Sequence, residues 1–334
     1  MKILAIFGII LLIIVILAAL FFLAAAINHK NKLNQEYIKY PPPGKLIRLN
    51  NHNLHVYGAG QGDITLVFLA GHGTCCPVID FKPLWMRLKD DYKIVIAERA
   101  GYGWSETSNN PRDIDTLLAE TRNALELSGE KGPYILVAHS MSGLEAIYWA
   151  QKYPNEIKAI IGIDPSIPDF IKNYLVLPPK TKLFFMYFIS RIGLSRFMSK
   201  SELEKYFPLI KSEDLSNKDK QELLALFFKS SYTKNMLNEI DYLTENAKKV
   251  KTNKIPVNTP IYFFISDGKE VADADWRELL SDYISNIVDG KYKFLNSGHY
   301  IHTEKPEILA GEIKKFISHI FFQTPKQDYP GVKQ

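Results

Sequence analysis

The stretch Tyr134-Ile-Leu-Val-Ala-His-Ser-Met-Ser-Gly143 decides how this chain is read. An apolar run, Tyr134 to Ala138, passes straight into Ala138-His139-Ser140-Met141-Ser142, and a helix-forming stretch follows over residues 141–152. A strand that ends in small–x–Ser–x–small and turns at once into a helix thrusts the serine out above the sheet. The turn is tight, so the flanking positions must be small for strand and helix to approach. The hydroxyl then lies near the positive end of a helix. Ala138 and Ser142 stand where glycine is more usual, and they keep the small size that the turn needs.

Outward from this turn, short continuous Ile/Val/Leu/Phe runs alternate with helical stretches. The strand-like runs are Thr65–Leu69, Tyr92–Ala97, Tyr134–Ala138, Ala159–Ile163, Ile261–Ile265 and Lys291–Leu295. Helical stretches lie near 79–89, 112–128, 141–152, 273–284 and 305–321. That rhythm predicts an α/β fold with a mostly parallel, doubly wound sheet covered on both faces. Lys45–Leu49 and Asn53–Tyr57 flank Asn50-Asn51-His52 and predict a hairpin before it. Between Ile163 and Ile261 no comparable strand appears, only amphipathic pieces such as Lys182–Ile192 and Lys218–Lys229. The interval is too long for a plain loop and predicts an inserted helical cap. The expected division is 45–165 with 255–322 for the sheet domain, 166–254 for the cap, and a polar tail at 323–334. The aromatic cap stretches Leu183–Ile189 and Leu223–Phe228 are expected to pack on the sheet domain and line an acyl pocket. The alternative is that they touch the bilayer and admit lipid substrates.

The chain has 334 residues, 46% hydrophobic and 23% charged, which describes an ordinary globular protein and excludes a disordered or collagen-like one. Its net charge of +5 comes without a dense Lys/Arg stripe, so nucleic acid is not an expected partner. Ile3 to Ile27 carries no charge and no Pro, and about 20 such residues cross a bilayer core. The run is far longer than a signal-peptide core. It is expected to be a retained transmembrane anchor over residues 1–27, although Ala24-Ala25-Ala26 offers a cleavage site. Lys30, Lys32, Lys39 and Lys45 on its C-terminal side outnumber Lys2 and favour a cytoplasmic catalytic domain, but long domains translocate largely regardless of charge. Residues 28–44, ending in Pro41-Pro42-Pro43-Gly44, are expected to form an extended tether. Cys75 and Cys76 are adjacent, too close for an ordinary disulfide, and read as small buried fillers.

At this point the chain resembles the α/β-hydrolase fold superfamily. Val137–Gly143 is similar to that family's Gly-His-Ser-Met-Gly-Gly elbow. Phe68-Leu-Ala-Gly-His-Gly-Thr74 resembles its His-Gly oxyanion segment. Glu98-Arg-Ala-Gly-Tyr-Gly-Trp-Ser105 resembles its Asp-x-Arg-Gly-x-Gly-x-Ser turn, with Glu98 in place of Asp. Asn296-Ser-Gly-His-Tyr-Ile-His-Thr-Glu-Lys-Pro306 resembles its C-terminal Gly-His-x-x-His-x-Glu-x-Pro segment. The four appear in the family's order and cover residues 45–165 and 255–321; the cap carries no such signature.

A serine hydroxyl needs an adjacent base. His299, in a loop after a strand, is the candidate. His302 reads as a structural or capping residue, and His72 and His139 as scaffold. The base in turn needs a carboxylate to fix its tautomer. Asp267, at the end of Ile261–Ile265, is the expected acid in the order Ser140…Asp267…His299. Asp164, at the end of the preceding strand, is the alternative, since some members of the fold place the acid there. The oxyanion calls for two amide donors. Met141 supplies one by geometry, and the resemblance implies Thr74 for the other, with Gly73 as the neighbour that could serve instead. Arg99 and Gly101–Gly103 read as a structural turn.

Serine at the elbow argues against haloalkane dehalogenase or epoxide hydrolase chemistry, where relatives place Asp. There is no Gly-x-x-x-x-Gly-Lys loop for ATP and no dinucleotide fingerprint, and His299-x-x-His302 has the wrong spacing for a zinc helix. No cofactor and no metal are expected. The expected function is a membrane-anchored serine hydrolase of acyl bonds, carboxylesterase or lipase-like, acting on a small acyl substrate or a lipid. The alternatives are a proline iminopeptidase-like aminopeptidase and a non-catalytic binding protein on the same scaffold.

Overall fold

A computed structural model describes residues 2–173, 178–271 and 275–322. The expected tail at 323–334 lies outside the described residues. The strands are β1 (Lys45–Leu49), β2 (His52–Ala59), β3 (Thr65–Leu69), β4 (Lys93–Ala97), β5 (Tyr134–His139), β6 (Ile157–Ile163), β7 (Ile261–Ile265) and β8 (Gly290–Phe294). They form one sheet in the order β1-β2-β4-β3-β5-β6-β7-β8. From β4 to β8 every pairing is parallel, while β2 runs antiparallel to both β1 and β4. The continuous apolar runs have a direct cause. Phe68, Ile96 and Val137 face one hydrophobic core, and Val67, Val95 and Leu136 face the other, so both sides of each strand are buried.

Strand order reverses around β3, which has β4 on one side and β5 on the other. In open α/β sheets the crevice at such a reversal, beyond the carboxyl ends of the strands, is where ligands bind. Leu69 pairs with Ala138, so the loops leaving β3 and β5 emerge side by side.

The helices used below are α1 (Lys2–Lys39), α2 (Ile114–Ser128), α3 (Ser142–Lys152), α4 (Lys180–Arg191), α5 (Lys200–Tyr206), α6 (Asn217–Ser230), α7 (Lys234–Thr252), α8 (Trp276–Ser285) and α9 (Pro306–Phe322). Between β6 and β7 the described residues contain helices and no strand. The expected stretch 79–89 is instead two short turns, Pro77–Asp80 and Lys82–Trp85, because Pro83 interrupts the backbone ladder.

The N-terminus departs from expectation. α1 does not stop at Ile27 but continues to Lys39, and its last third is packed rather than extended as a tether. No Gly or Pro interrupts residues 28–39, and the helix ends only as Pro41 approaches. His29 is buried against the cap, where Arg196 makes two bonds to Glu36, 2.7 and 2.6 Å, and a third to His29 Nδ1, 2.8 Å. Tyr40 continues the contact, its hydroxyl donating to Gln221 and its carbonyl accepting from Trp104. The preceding part of α1, residues 3–23, is exposed on all sides and is long and apolar enough to cross a membrane.

Candidate active site

Ser140 stands at the junction of β5 and α3 with φ +54°. A non-glycine residue adopts that left-handed conformation only under constraint. The constraint is visible on both sides of the turn. The Ser140 carbonyl accepts the amides of Gly143 and Ser166, and its own amide donates to Ile163. Gly71, leaving β3, lies so close that a Cβ there would stand 2.9 Å from Ser140 Cβ and from His139 Nδ1. Ser142 does more than stay small. Its buried hydroxyl sits 2.6 Å from the Leu69 carbonyl and 2.7 Å from that of His139, tying the exits of β3 and β5 together.

His299 lies in the loop after β8 and reaches back across the end of β7. Its Nδ1 is 2.6 Å from Asp164 Oδ2. Asp164 follows β6, the strand paired with β5, and is fully buried. Its Oδ1 accepts the Ser266 amide at 2.8 Å and Trp276 Nε1 at 2.7 Å, and Oδ2 also receives the Ser266 hydroxyl at 2.8 Å. A buried polar group is costly unless it is hydrogen-bonded, and these contacts meet that need. The backbone at Asp164 is left-handed as well, φ +46°, which follows from the sharp exit before Pro165.

Asp267, the acid expected from the sequence, is not the carboxylate that meets His299. Its side chain turns outward in the Ser266-Asp267-Gly268 turn and accepts the Lys269 amide and ammonium instead. Those bonds hold its carboxyl below the ordinary range. Both strands end in an aspartate, and only the packing of Ser266 and Trp276 around Asp164 distinguishes them.

The ring of His299 also packs on His139, ring centres 4.7 Å apart, and His139 directly precedes Ser140. His299 is thus held beside the elbow. His139 Nε2 lies 3.2 Å from the His299 carbonyl, and burial followed by the neighbouring His302 and His299 pushes its pKa far below the usual range. A neutral imidazole facing a carbonyl must donate, so His139 carries its proton on Nε2. His299, donating Nδ1–H to Asp164, leaves Nε2 unprotonated, the form a general base needs. The His299 amide is fixed by Glu270 Oε2 at 2.8 Å.

Met141 precedes the first residue of α3, where backbone amides have no partner within the helix. In the β3 loop the Gly73 amide is taken by the Tyr102 hydroxyl at 3.4 Å. Thr74 is buried, three residues beyond the Gly71 contact with Ser140, and its hydroxyl has no partner among the described residues. The loop is tied to the cap through Glu239 of α7, which the sequence reading passed over. Tyr102 donates to Glu239 Oε2 at 2.6 Å, His72 Nδ1 lies 3.3 Å from the same oxygen, and Arg99 reaches it at 3.4 Å. Arg99 also donates to the Ala70 carbonyl at 3.0 Å and to Glu145 at 3.2 Å, so it pins the loop as well as the turn. The place of Arg99 in a motif just after a strand was the available signal; its partner in the cap left none.

Asp80, His139 and His302 bring one possible metal-ligand atom each to within 4.8 Å of one another. Two of these groups already satisfy each other, His302 Nε2 lying 2.8 Å from Asp80 Oδ2. Cys75 and Cys76 are free and buried, and burial pushes both thiols up.

A cavity of about 360 Å³ adjoins the site. Its lining includes His72 and Thr74 of the β3 loop, Tyr300 next to His299, and Leu183, Phe207 and Phe227 of the cap. That volume lies within the range of small-molecule sites.

Comparison with known proteins agrees with this architecture. The sequence profile of a family described as alpha/beta hydrolase fold matches residues 80–306. The uncharacterized protein YbdG of Bacillus subtilis (strain 168) is 37% identical over 237 residues, 70% of this chain and 72% of its own length. Epoxide hydrolase 1 of Caenorhabditis elegans is 24% identical over 297 residues, 82% of this chain and 70% of its own. Among solved structures, a putative lipase from Acinetobacter baumannii AYE superposes with a TM-score of 0.63 at 15% identity, covering 87% of this chain and 96% of its own.

Proposed function

The chain belongs to the alpha/beta hydrolase fold family, and from that premise we propose that it is a membrane-anchored serine hydrolase of acyl, ester-type bonds. The observation that carries the reading is the His299–Asp164 pair held against the strained elbow of Ser140. In this reading Ser140 Oγ attacks the acyl carbonyl carbon and its proton passes to His299 Nε2. The Asp164 carboxylate stabilises the imidazolium. The amide of Met141 and one amide of the β3 loop receive the oxyanion. Because the Gly73 amide is engaged by Tyr102, the loop donor in this reading is the amide of Thr74 or that of His72, which follows the Gly71 contact with Ser140. His299 then returns the proton to the leaving alcohol, and a water activated by the same imidazole releases the acid from the acyl-enzyme.

Epoxide opening is disfavoured by the same residue. Attack of a serine oxygen on an epoxide carbon gives an ether, which a second hydrolytic step cannot cleave; a carboxylate nucleophile gives an ester, which it can. One observation supports an aminopeptidase as a second reading. Glu270 and Glu304 border the cavity and could receive a substrate α-amine. Each, however, already accepts a backbone amide of the His299 loop. The anchor is supported by α1, whose exposed apolar side chains each forgo about 1.5–3 kcal/mol in water.

Fluorophosphonate labelling of the purified protein tests the core of the proposal. Wild type should label and Ser140→Ala should not. An inert wild type, or a labelled alanine variant, would sink it. Turnover of aminoacyl amides in preference to acyl esters would favour the second reading.

A further inference from the structure

The expectation that the cap's aromatic stretches pack inward is met for α6, where Leu223, Leu226 and Phe227 are buried, but not for α4. Phe184, Phe185 and Phe188 of α4 are 67%, 59% and 44% exposed, and Phe197, in the turn Leu194–Phe197, is 62% exposed. Spacings of one and four place the three α4 residues on one side of the helix. Exposed apolar surface of this kind marks an interaction site.

What covers it is indicated by α1. The Phe197 ring packs on Phe21 with ring centres 5.8 Å apart. Phe21 lies six residues before Ile27, the end of the charge-free run, or about 9 Å along the helix. That matches the depth of about 5–10 Å to which interfacial helices sink into a membrane. The contact is not loose. Arg196, next to Phe197, holds Glu36 and His29 through three bonds, and a Cβ at Gly193 (φ +75°) would stand 2.4 Å from His29 Cβ. If α1 enters a bilayer, this corner of the cap goes with it. Lys180 and Lys182, both exposed, open α4 and are cations suited to the headgroup level beside the aromatic face. Leu183, on the same helix, lines the cavity beside the oxyanion loop. One helix therefore separates the cavity from the exposed phenyl rings.

We propose that Phe184, Phe185, Phe188 and Phe197 lie in the bilayer that α1 crosses, and that the substrate is a bilayer-resident acyl ester admitted to the cavity past α4. The substrate half rests on the serine-hydrolase reading above; the position of the cap does not.

The test uses the full-length chain in phosphatidylcholine/phosphatidylglycerol liposomes. In F188W, the fluorescence in excess of wild type should be quenched by lipids brominated near the top of the acyl chain. Equal fluorescence with and without bromine overturns the proposal. The triple variant Phe184→Ser, Phe185→Ser, Phe188→Ser should turn over a liposome-held long-chain acylglycerol about tenfold more slowly while hydrolysing a short soluble ester within about twofold of wild type. Unchanged lipid turnover overturns lipid entry past α4, with soluble-ester activity showing that the hydrolase reading stands. A wild type inert on both esters removes the hydrolase reading and the substrate half together, while quenching still reports the face. A detergent-solubilised dimer that the triple variant converts to monomer assigns the face to a second copy and overturns the proposal.

Discussion

Replacing Asp164 with asparagine separates the two candidate acids with little change of shape. Oδ1 of Asp164 accepts two groups that can only donate, the Ser266 amide and Trp276 Nε1. The single carbonyl oxygen of an asparagine must stay there. Its NH2 then occupies the place of Oδ2 and faces His299 Nδ1 and the Ser266 hydroxyl. The hydroxyl can rotate to accept. The imidazole can accept only by moving its proton to Nε2, which is the atom that must be free to act as base. A triad held in the wrong tautomer loses roughly 10⁴ in kcat, or about 5.5 kcal/mol of barrier. Folding loses only one charge-assisted bond, roughly 1–3 kcal/mol. In a continuous assay with a short soluble ester, Asp164→Asn should lose about four orders of magnitude while melting as a folded protein. Asp267→Asn removes a pairing with Lys269 at the surface and should stay within about twofold of wild type. The reasoning is refuted if folded Asp164→Asn keeps activity within about tenfold of wild type, or if Asp267→Asn loses more than about a hundredfold.

Three further outcomes follow from particular contacts. Because Ser140 sits at φ +54°, Ser140→Gly should be more stable in urea than Ser140→Ala by about 1 kcal/mol, although both are inactive. Glu239→Ala leaves buried Arg99 without its cap carboxylate, so it should cost about 3 kcal/mol by the same measurement and raise KM or lower kcat through the loosened β3 loop. His139 is held neutral in the folded state, so its contribution to stability is intact above the unfolded pKa of about 6.5 and is lost as the pH falls below it. Between pH 7.5 and 5.5 wild type should lose about 1.4 kcal/mol more unfolding free energy than His139→Asn, and equal losses would count against a buried neutral imidazole.

The cap and the N-terminus mark where one-dimensional reading stopped. The elbow was legible because strand, tight turn and helix are neighbours in the chain, and the need for small residues leaves a trace at Ala138 and Ser142. Ser142 itself was legible only as a small residue; its link to Leu69 depends on β3 lying beside β5. The extension of α1 past Ile27 leaves no mark in the hydropathy, because charge ends an apolar run without ending a helix, and the helix stops only as Pro41 approaches. Exposure of the α4 phenylalanines could not be read from amphipathic spacing, which shows that a helix has an apolar face without showing what meets it.

By itself the sequence determined the parallel sheet, the elbow that carries Ser140 and the loop that carries His299, since apolar runs, turn chemistry and local motifs are all short-range. Only the tertiary structure decided which aspartate meets His299. Asp164 and Asp267 each end a strand, and both would serve by type and chain order. The choice lies in long-range packing, where Trp276 and Ser266 close around Asp164 and Lys269 draws Asp267 outward. The seating of α1 against the cap belongs to the same class, because Phe21 and Phe197, like Glu36 and Arg196, are distant in the chain and meet only in the folded structure.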